Sequence, residues 1–265
     1  MKLTGSWINA KGVQSVLQMF EIAGHKAYFV GGCVRNELLG FPVTDVDIAT
    51  DATPDQTTYL AQTAGIKAIP TGIEHGTVTL VTQGQAYQVT TFRTDIQTDG
   101  RHAKVQFSND IVADAQRRDF TMNALYADQA GHVIDPLEGL DDLMAGRVRF
   151  IQDAGARVSE DFLRILRFFR ISAWYANPIH GFDQDALSAI SGHLGGLCAL
   201  SKERVSSEMR KLLAAPNPAP SVAAMRAVGA LTQILPGSED TDLAVLIHLE
   251  AQHEIQADAM RRLAA

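Results

Sequence analysis

Residues 28–47 read Tyr-Phe-Val-Gly-Gly-Cys-Val-Arg-Asn-Glu-Leu-Leu-Gly-Phe-Pro-Val-Thr-Asp-Val-Asp. An apolar run ends at Gly31-Gly32, a short helical pattern closes at Gly40, and a second extended run carries Asp45 and Asp47. Side chains alternate across a strand, so acids two positions apart project from one face. The glycines let the backbone approach a ligand closely, and the N–H groups that open the following helix point toward an anion. Phosphate on one side and a divalent cation on the other make one site, with Asp45 and Asp47 aimed at the cation.

Outward from this stretch, residues 13–23 form an amphipathic helix stopped by Gly24, and 26–30 a buried strand leading into the glycine turn. Thr53-Pro54 caps a helix that Gly65 ends. Strands at about 66–69, 75–82 and 86–93, the last two joined by a tight turn at Gly84, lay a hairpin beside the acidic strand. From Arg93 to Val105 the sequence is polar, glycine-bearing and aperiodic, which reads as a mobile loop or as a plain hairpin connection. Asp110 to Ala127 reads as a helix centred on Arg117–Leu125, and Asp135-Pro136 opens a short helix that Gly146 ends. Beyond Arg149 the pattern is almost continuous helix, with stops at Asn177-Pro178, Gly195-Gly196 and the 216–220 loop. A domain boundary is expected near residue 147.

At 265 residues, with 46% hydrophobic and 20% charged residues, the chain is long enough to bury a core in more than one domain. Cys33 and Cys198 lie far apart without metal-ligand spacing, which fits a reducing cytoplasm. No apolar stretch reaches the roughly 18 residues of a membrane span, and the first twenty residues lack the pattern of a secretion signal. A net charge of −7 weighs against binding nucleic acid through overall charge. Arginines nevertheless crowd residues 93–118 and 147–170, so the positive field is local.

Five ordered motifs carry a resemblance. They are Gly31-Gly32-Cys33-Val34-Arg35 with Asp45-Val46-Asp47, then Arg117-Arg118-Asp119-Phe120-Thr121-Met122-Asn123-Ala124, Asp135-Pro136, and Glu160-Asp161-Phe162-Leu163-Arg164. Over residues 26 to about 212 the chain resembles the class II tRNA nucleotidyltransferases, the CCA-adding enzymes of the DNA polymerase β superfamily, which share their fold with bacterial poly(A) polymerases. The resemblance implies an α+β chain: a polymerase β-like head with a small mixed sheet and helices over 1–146, an all-α neck over 147–215, and the start of a helical body over 216–265. The chain stops at Arg261-Arg262-Leu263-Ala264-Ala265 inside a helical pattern, and a helical tail is expected to be mostly missing.

Carried over by position, the family pattern gives Asp45 and Asp47 the catalytic Mg²⁺ ions and Gly31, Gly32 and Arg35 the triphosphate. Arg118, Asp119 and Asn123 would contact phosphate and ribose, and Asp161 and Arg164 would choose the base, with Arg167 and Arg170 also nucleotide-binding. The substrates implied are CTP, ATP and a tRNA 3′ end. Adenine and cytosine both present an amino donor beside a ring-nitrogen acceptor, which a carboxylate and a guanidinium read alike. Uracil and guanine reverse that order, and two buried mismatches at about 1–3 kcal/mol each disfavour them by about 30-fold to 10⁴-fold.

On a continuous helix Asp161 and Arg164 are neighbours on one face, whereas Arg167 turns to the side and Arg170 lies nearly opposite. Two roles fit Arg170, a structural ion pair and a substrate contact. The surrounding Phe and Leu residues make this helix apolar nearly all round, hence buried.

The sequence departs from the family at two places. Asn36 stands where relatives usually carry Asp, and Gln88 where they often carry Glu beside the metal pair, with Glu74 the nearest other acid. The alternatives are an A-adding or CC-adding specialist, a poly(A) polymerase, and a catalytically idle RNA-binding protein. Poly(A) synthesis ranks lower because Thr71–Thr77 lacks the basic stretch expected of it, and the length of the 94–105 segment favours an enzyme that switches to ATP.

Overall fold

The acidic strand is the middle one of a seven-stranded sheet in the first of two compact units, Met1–Met144 and Ala145–Ala265. The computed structural model describes residues 1–99 and 102–265. The sheet is built from β1 (Ala27–Val30), β2 (Asp47–Thr50), β3 (Lys67–Gly72), β4 (Thr77–Thr82), β5 (Gln85–Thr91), β8 (Tyr126–Ala127) and β9 (Val133–Ile134), in the order β3-β4-β5-β2-β1-β8-β9. The β2–β5 pair is parallel and the other pairs antiparallel. It is thus a mixed sheet, carried by α1 (Lys11–Ile22), α2 (Gly32–Leu39), α3 (Pro54–Thr63), α4 (Ile111–Gln116) and α5 (Gly139–Ala145).

Local chemistry explains most of these boundaries. Thr53 closes a capping box with Gln56, and Pro54 sits at the first turn of α3. Gly40 ends α2 in a left-handed conformation that a side chain would strain. The apolar faces of α1 (Val13, Val16, Phe20) and of β1 and β2 (Phe29, Ile48, Ala49) are fully buried, at about 1.5–3 kcal/mol for each large side chain.

Two readings of the sequence are corrected. The stretch expected as a mobile loop or a plain hairpin connection is a hairpin with a sheet of its own, β6 (Arg93–Asp99) with β7 (His102–Phe107), paired antiparallel from Arg93↔Phe107 to Asp99↔His102. A main-chain ladder needs no apolar alternation, so the polar sequence hid it. Its tip, with Arg101 of the arginine cluster, lies outside the described residues. The helix expected over 110–127 ends at Gln116; Phe120 is extended, Thr121–Asn123 forms one 3-10 turn, and Tyr126 enters β8. The chain turns because the Asp119 carboxylate accepts hydrogen bonds from the Phe120 N–H and the Asn123 amide, and because Tyr126 and Ala127 pair with β1.

The second unit is all helix: α6 (Ala154–Glu160), α7 (Leu163–Tyr175), α8 (Gln184–Gly192), α9 (Lys202–Leu213), α10 (Ala219–Ala227), α11 (Ala230–Ile234), α12 (Thr241–Gln252) and α13 (Ala259–Ala264). As expected, α7 is buried almost all round; Ile165, Leu166, Phe168 and Phe169 are inaccessible, and Phe168 stacks on Phe150 at 5.7 Å. No helix among the described residues is long and apolar enough to cross a membrane.

Candidate functional site

The glycine turn is built as its sequence demands, with the burden on the first glycine. Gly31 has φ +73° and its N–H donates to the Leu125 carbonyl at 3.1 Å, so β1 turns into α2 through a conformation only glycine adopts without strain. Gly32 is the first residue of α2. Cys33 is a buried packing residue, its thiol pushed up to about 11 by burial.

Arg35 is 7% exposed and is held by amides on both sides. Its Nη1 donates to Asn123 Oδ1, and its Nη2 and Nε donate to Asn36 Oδ1 at 2.9 and 3.2 Å. Asn36 Nδ2 in turn donates to the Pro42 carbonyl at 3.0 Å, a bond an aspartate could not make. Asn123 Nδ2 donates to Asp119 Oδ1 at 3.1 Å, so the predicted Arg35, Asn123 and Asp119 form one connected chain. The Asp135-Pro136 motif braces it from behind. Asp135 accepts from the Gly139 and Leu140 N–H groups that open α5, and Asp142 of α5 accepts from Thr121 Oγ1 at 2.7 Å.

Arg118 is fixed by two residues that reading the sequence missed. Its Nη2 donates to Asp114 at 2.8 Å and its Nε to the Tyr126 hydroxyl at 3.0 Å, while Tyr126 donates to the same Asp114 oxygen at 2.7 Å. Asp114 also pairs with Arg117 at 2.7 Å. Burial opposes ionisation of Asp114, but Arg118 and Arg117 outweigh it and hold the carboxyl well below the usual carboxylate range. The signal was present as an aspartate four residues before an arginine at the end of a helix.

Asp47 opens β2 and lies in register with Gln88 of β5, so an amide stands beside it. Asp45 is exposed and precedes the strand, accepting from Thr44 Oγ1 at 3.1 Å. Burial pushes the Asp47 carboxyl above its usual range, Arg118 draws it down, and the charge of Asp45 adds to the rise. Asp47 therefore lies within the field of both Arg118 and Asp45. Glu74 is exposed in a short 3-10 turn, and no cluster of three or more metal-ligating side chains exists among the described residues.

In the helical unit the expected geometry of Asp161 and Arg164 is corrected. Asp161 is extended and lies in the break between α6 and α7, where its carboxylate accepts from the Leu163 N–H at 3.1 Å. It caps the helix instead of sharing a face with Arg164. Both its oxygens accept from Nη2 of Arg204 on α9. Arg164, 8% exposed, donates to Glu160 at 2.5 Å and to the Arg157 carbonyl at 2.9 Å. Arg170 pairs with the buried Glu208 of α9 at 2.5 Å, which is the ion-pair arrangement, and Arg167 stands 3.8 Å from the same carboxylate. Phe162 rests on Gly196 in the 3-10 turn Leu194–Ala199.

A model of the poly A polymerase head domain matches residues 27–149, and one described as a probable RNA and SrmB-binding site of polymerase A matches 181–241. The chain is 39% identical over 204 residues to human mitochondrial CCA tRNA nucleotidyltransferase 1, covering 77% of this chain and 47% of that protein. It is 42% identical over 238 residues to a Streptococcus pyogenes CCA-adding enzyme, covering 88% and 56%. The Bacillus stearothermophilus CCA-adding enzyme in complex with CTP superposes with a TM-score of 0.76 at 35% identity, over 91% of this chain and 57% of that one. The chain thus spans about half the length of the curated relatives it matches. With the mixed sheet, the ordered motifs and these matches together, the chain belongs to the tRNA nucleotidyltransferase/poly(A) polymerase family.

Proposed function

We propose that this chain carries the catalytic head and the nucleotide-selecting helices of a cytoplasmic CCA-adding tRNA nucleotidyltransferase, which adds CMP, CMP and AMP from CTP and ATP to a tRNA 3′ end. The observation that carries this reading is the placement of Asp47, partly buried beside the charge of Asp45 and within the field of Arg118, in a chain so similar to CCA-adding enzymes. A carboxylate raised by burial and by a neighbouring acid gains from a shared cation. Mg²⁺ takes oxygen ligands and usually only one or two protein carboxylates, so the pair fits it. Bound there, Mg²⁺ would acidify the attacking hydroxyl and neutralise the leaving pyrophosphate.

The residues divide the remaining work. The N–H groups that open α2 from Gly32, presented by the turn at Gly31, hold the triphosphate with Arg35 and Arg118, and Asp119 and Asn123 meet the ribose. The tRNA 3′ oxygen attacks the α-phosphorus, one P–O bond forms as the bond to pyrophosphate breaks, and the hydroxyl proton leaves beside exposed Asp45. Asp161 and Arg164 read the base edge, and their present partners, Arg204 and Glu160, hold both side chains in place until a nucleotide arrives.

The test is incorporation of labelled CTP and ATP into tRNA lacking its last three nucleotides, with product ends sequenced after CTP alone, ATP alone and both. CC, then CCA with both substrates, is expected. Incorporation of neither, together with equal binding of all four nucleoside triphosphates, overturns the reading; A alone or CC alone assigns a specialist.

A further inference from the structure

Strand β8 supports the triphosphate turn in two ways. Its register with β1 sets Tyr126 beside Val30, and the Leu125 carbonyl just before it accepts the Gly31 N–H. The Tyr126 side chain then points back at Arg118. Of the arginine's donors, the edge carrying Nε and Nη2 is taken by Tyr126 and Asp114, and the guanidinium lies 5.2 Å from the Tyr126 ring centre. The opposite corner, Nη1, lies 3.7 Å from the point where a side chain at position 31 would begin. Tyr126 and Asp114 are both wholly buried, so this support is shielded from water.

We propose that Tyr126, backed by Asp114, is a positioning residue for the polyphosphate part of the substrate: its hydroxyl fixes the rotation of Arg118 so that Nη1 faces the Gly31 turn. A guanidinium is a rigid planar fork, so binding one edge determines where the other points. With the hydroxyl gone, Arg118 keeps one anchor instead of two and turns about it. The order of the guanidinium is then established only when the nucleotide binds, and affinity falls. The effect is confined to the phosphates, because Tyr126 and Asp114 engage Nε and Nη2 of Arg118 and act on the substrate only through it. This inference rests on the reading of Arg118 as a triphosphate ligand.

The test is calorimetric binding of ATP, inorganic tripolyphosphate and adenosine, with Mg²⁺, to the full chain and to Tyr126→Phe, Arg118→Ala and the double variant. Tyr126→Phe is expected to weaken ATP and tripolyphosphate by about tenfold, the scale of one charge-assisted hydrogen bond, and to leave adenosine unchanged. In the Arg118→Ala background the same change is expected to add nothing, because the tyrosine acts through the arginine. Wild-type tripolyphosphate affinity in Tyr126→Phe, additive losses, or a matching loss of adenosine overturns the inference. Wild-type tripolyphosphate affinity in Arg118→Ala instead overturns the reading beneath it.

Discussion

Asp161 is gripped through both carboxylate oxygens, at 3.1 and 2.9 Å, by a single nitrogen of Arg204, 43 residues further along the chain. The contact joins the break before α7 to α9, so the direction of the Asp161 carboxylate depends on a helix that does not contain it. Arg204→Ala is expected to cost about 1 kcal/mol or less in stability, because the pair is partly exposed. Discrimination of CTP and ATP from UTP is expected to fall about tenfold, and competition binding of the four nucleotides measures it.

Gly196 lies under the Phe162 ring, and a methyl added there would meet three ring carbons at 2.2–2.3 Å. Gly196→Ala is expected to destabilise the helical unit by about 1–3 kcal/mol by forcing the ring aside. Phe162→Leu in the same chain is expected to recover at least half of that in denaturant unfolding. An additive pair of losses would show that the two residues do not share the space.

Asp47→Ala is expected to lower nucleotide incorporation by at least about 10²-fold, the scale of losing one electrostatic element of a reaction site. ATP binding without metal is expected to fall less than tenfold, because Arg35 and Arg118 remain. Single-turnover assays beside equilibrium binding separate the two effects.

Acid should reveal the support behind Arg118. The Asp114 carboxyl is held below its ordinary value of 3.8, so its contribution to stability is complete above that value. It is lost as pH falls from there toward the folded-state value, because the unfolded chain takes up the proton first. Unfolding free energies measured between pH 5 and pH 2 are expected to fall less steeply in Asp114→Asn, by up to about 1.4 kcal/mol per pH unit, one proton's worth.

What was legible in the sequence was local. The Gly31 turn, the Gly40 stop, the Thr53-Pro54 cap and the β4–β5 hairpin each announce themselves through residues a few positions apart, and the structure has them. The mixed sheet and the helical second half followed from the same signals together with the ordered motifs. The i, i+3 spacing of Asp161 and Arg164 suits one helical face, but Asp161 is extended between α6 and α7, where its carboxylate bonds to the nearby Leu163 N–H and to Arg204, 43 residues away. The end of α4 was misread because Phe120, Met122, Ala124 and Leu125 continue an apolar pattern, whereas Asp119 turns the chain and Tyr126 pairs with β1. Asp114, Tyr126, Arg204 and Glu208 were overlooked because each acts by supporting another side chain, which no motif spacing marks.

The place of β2 also governs when the molecule acquires its site during synthesis. Its neighbour β5 must return from residue 88 to lie parallel to it, and β1 finds its second neighbour only when Tyr126 and Ala127 arrive. Nascent chains halted before that point lack the strand that holds Gly31 and aims Arg118. Long-range pairings form late because the intervening loop must close first. On the proposed reading of the site, competence to bind a nucleotide is thereby tied to completion of the head.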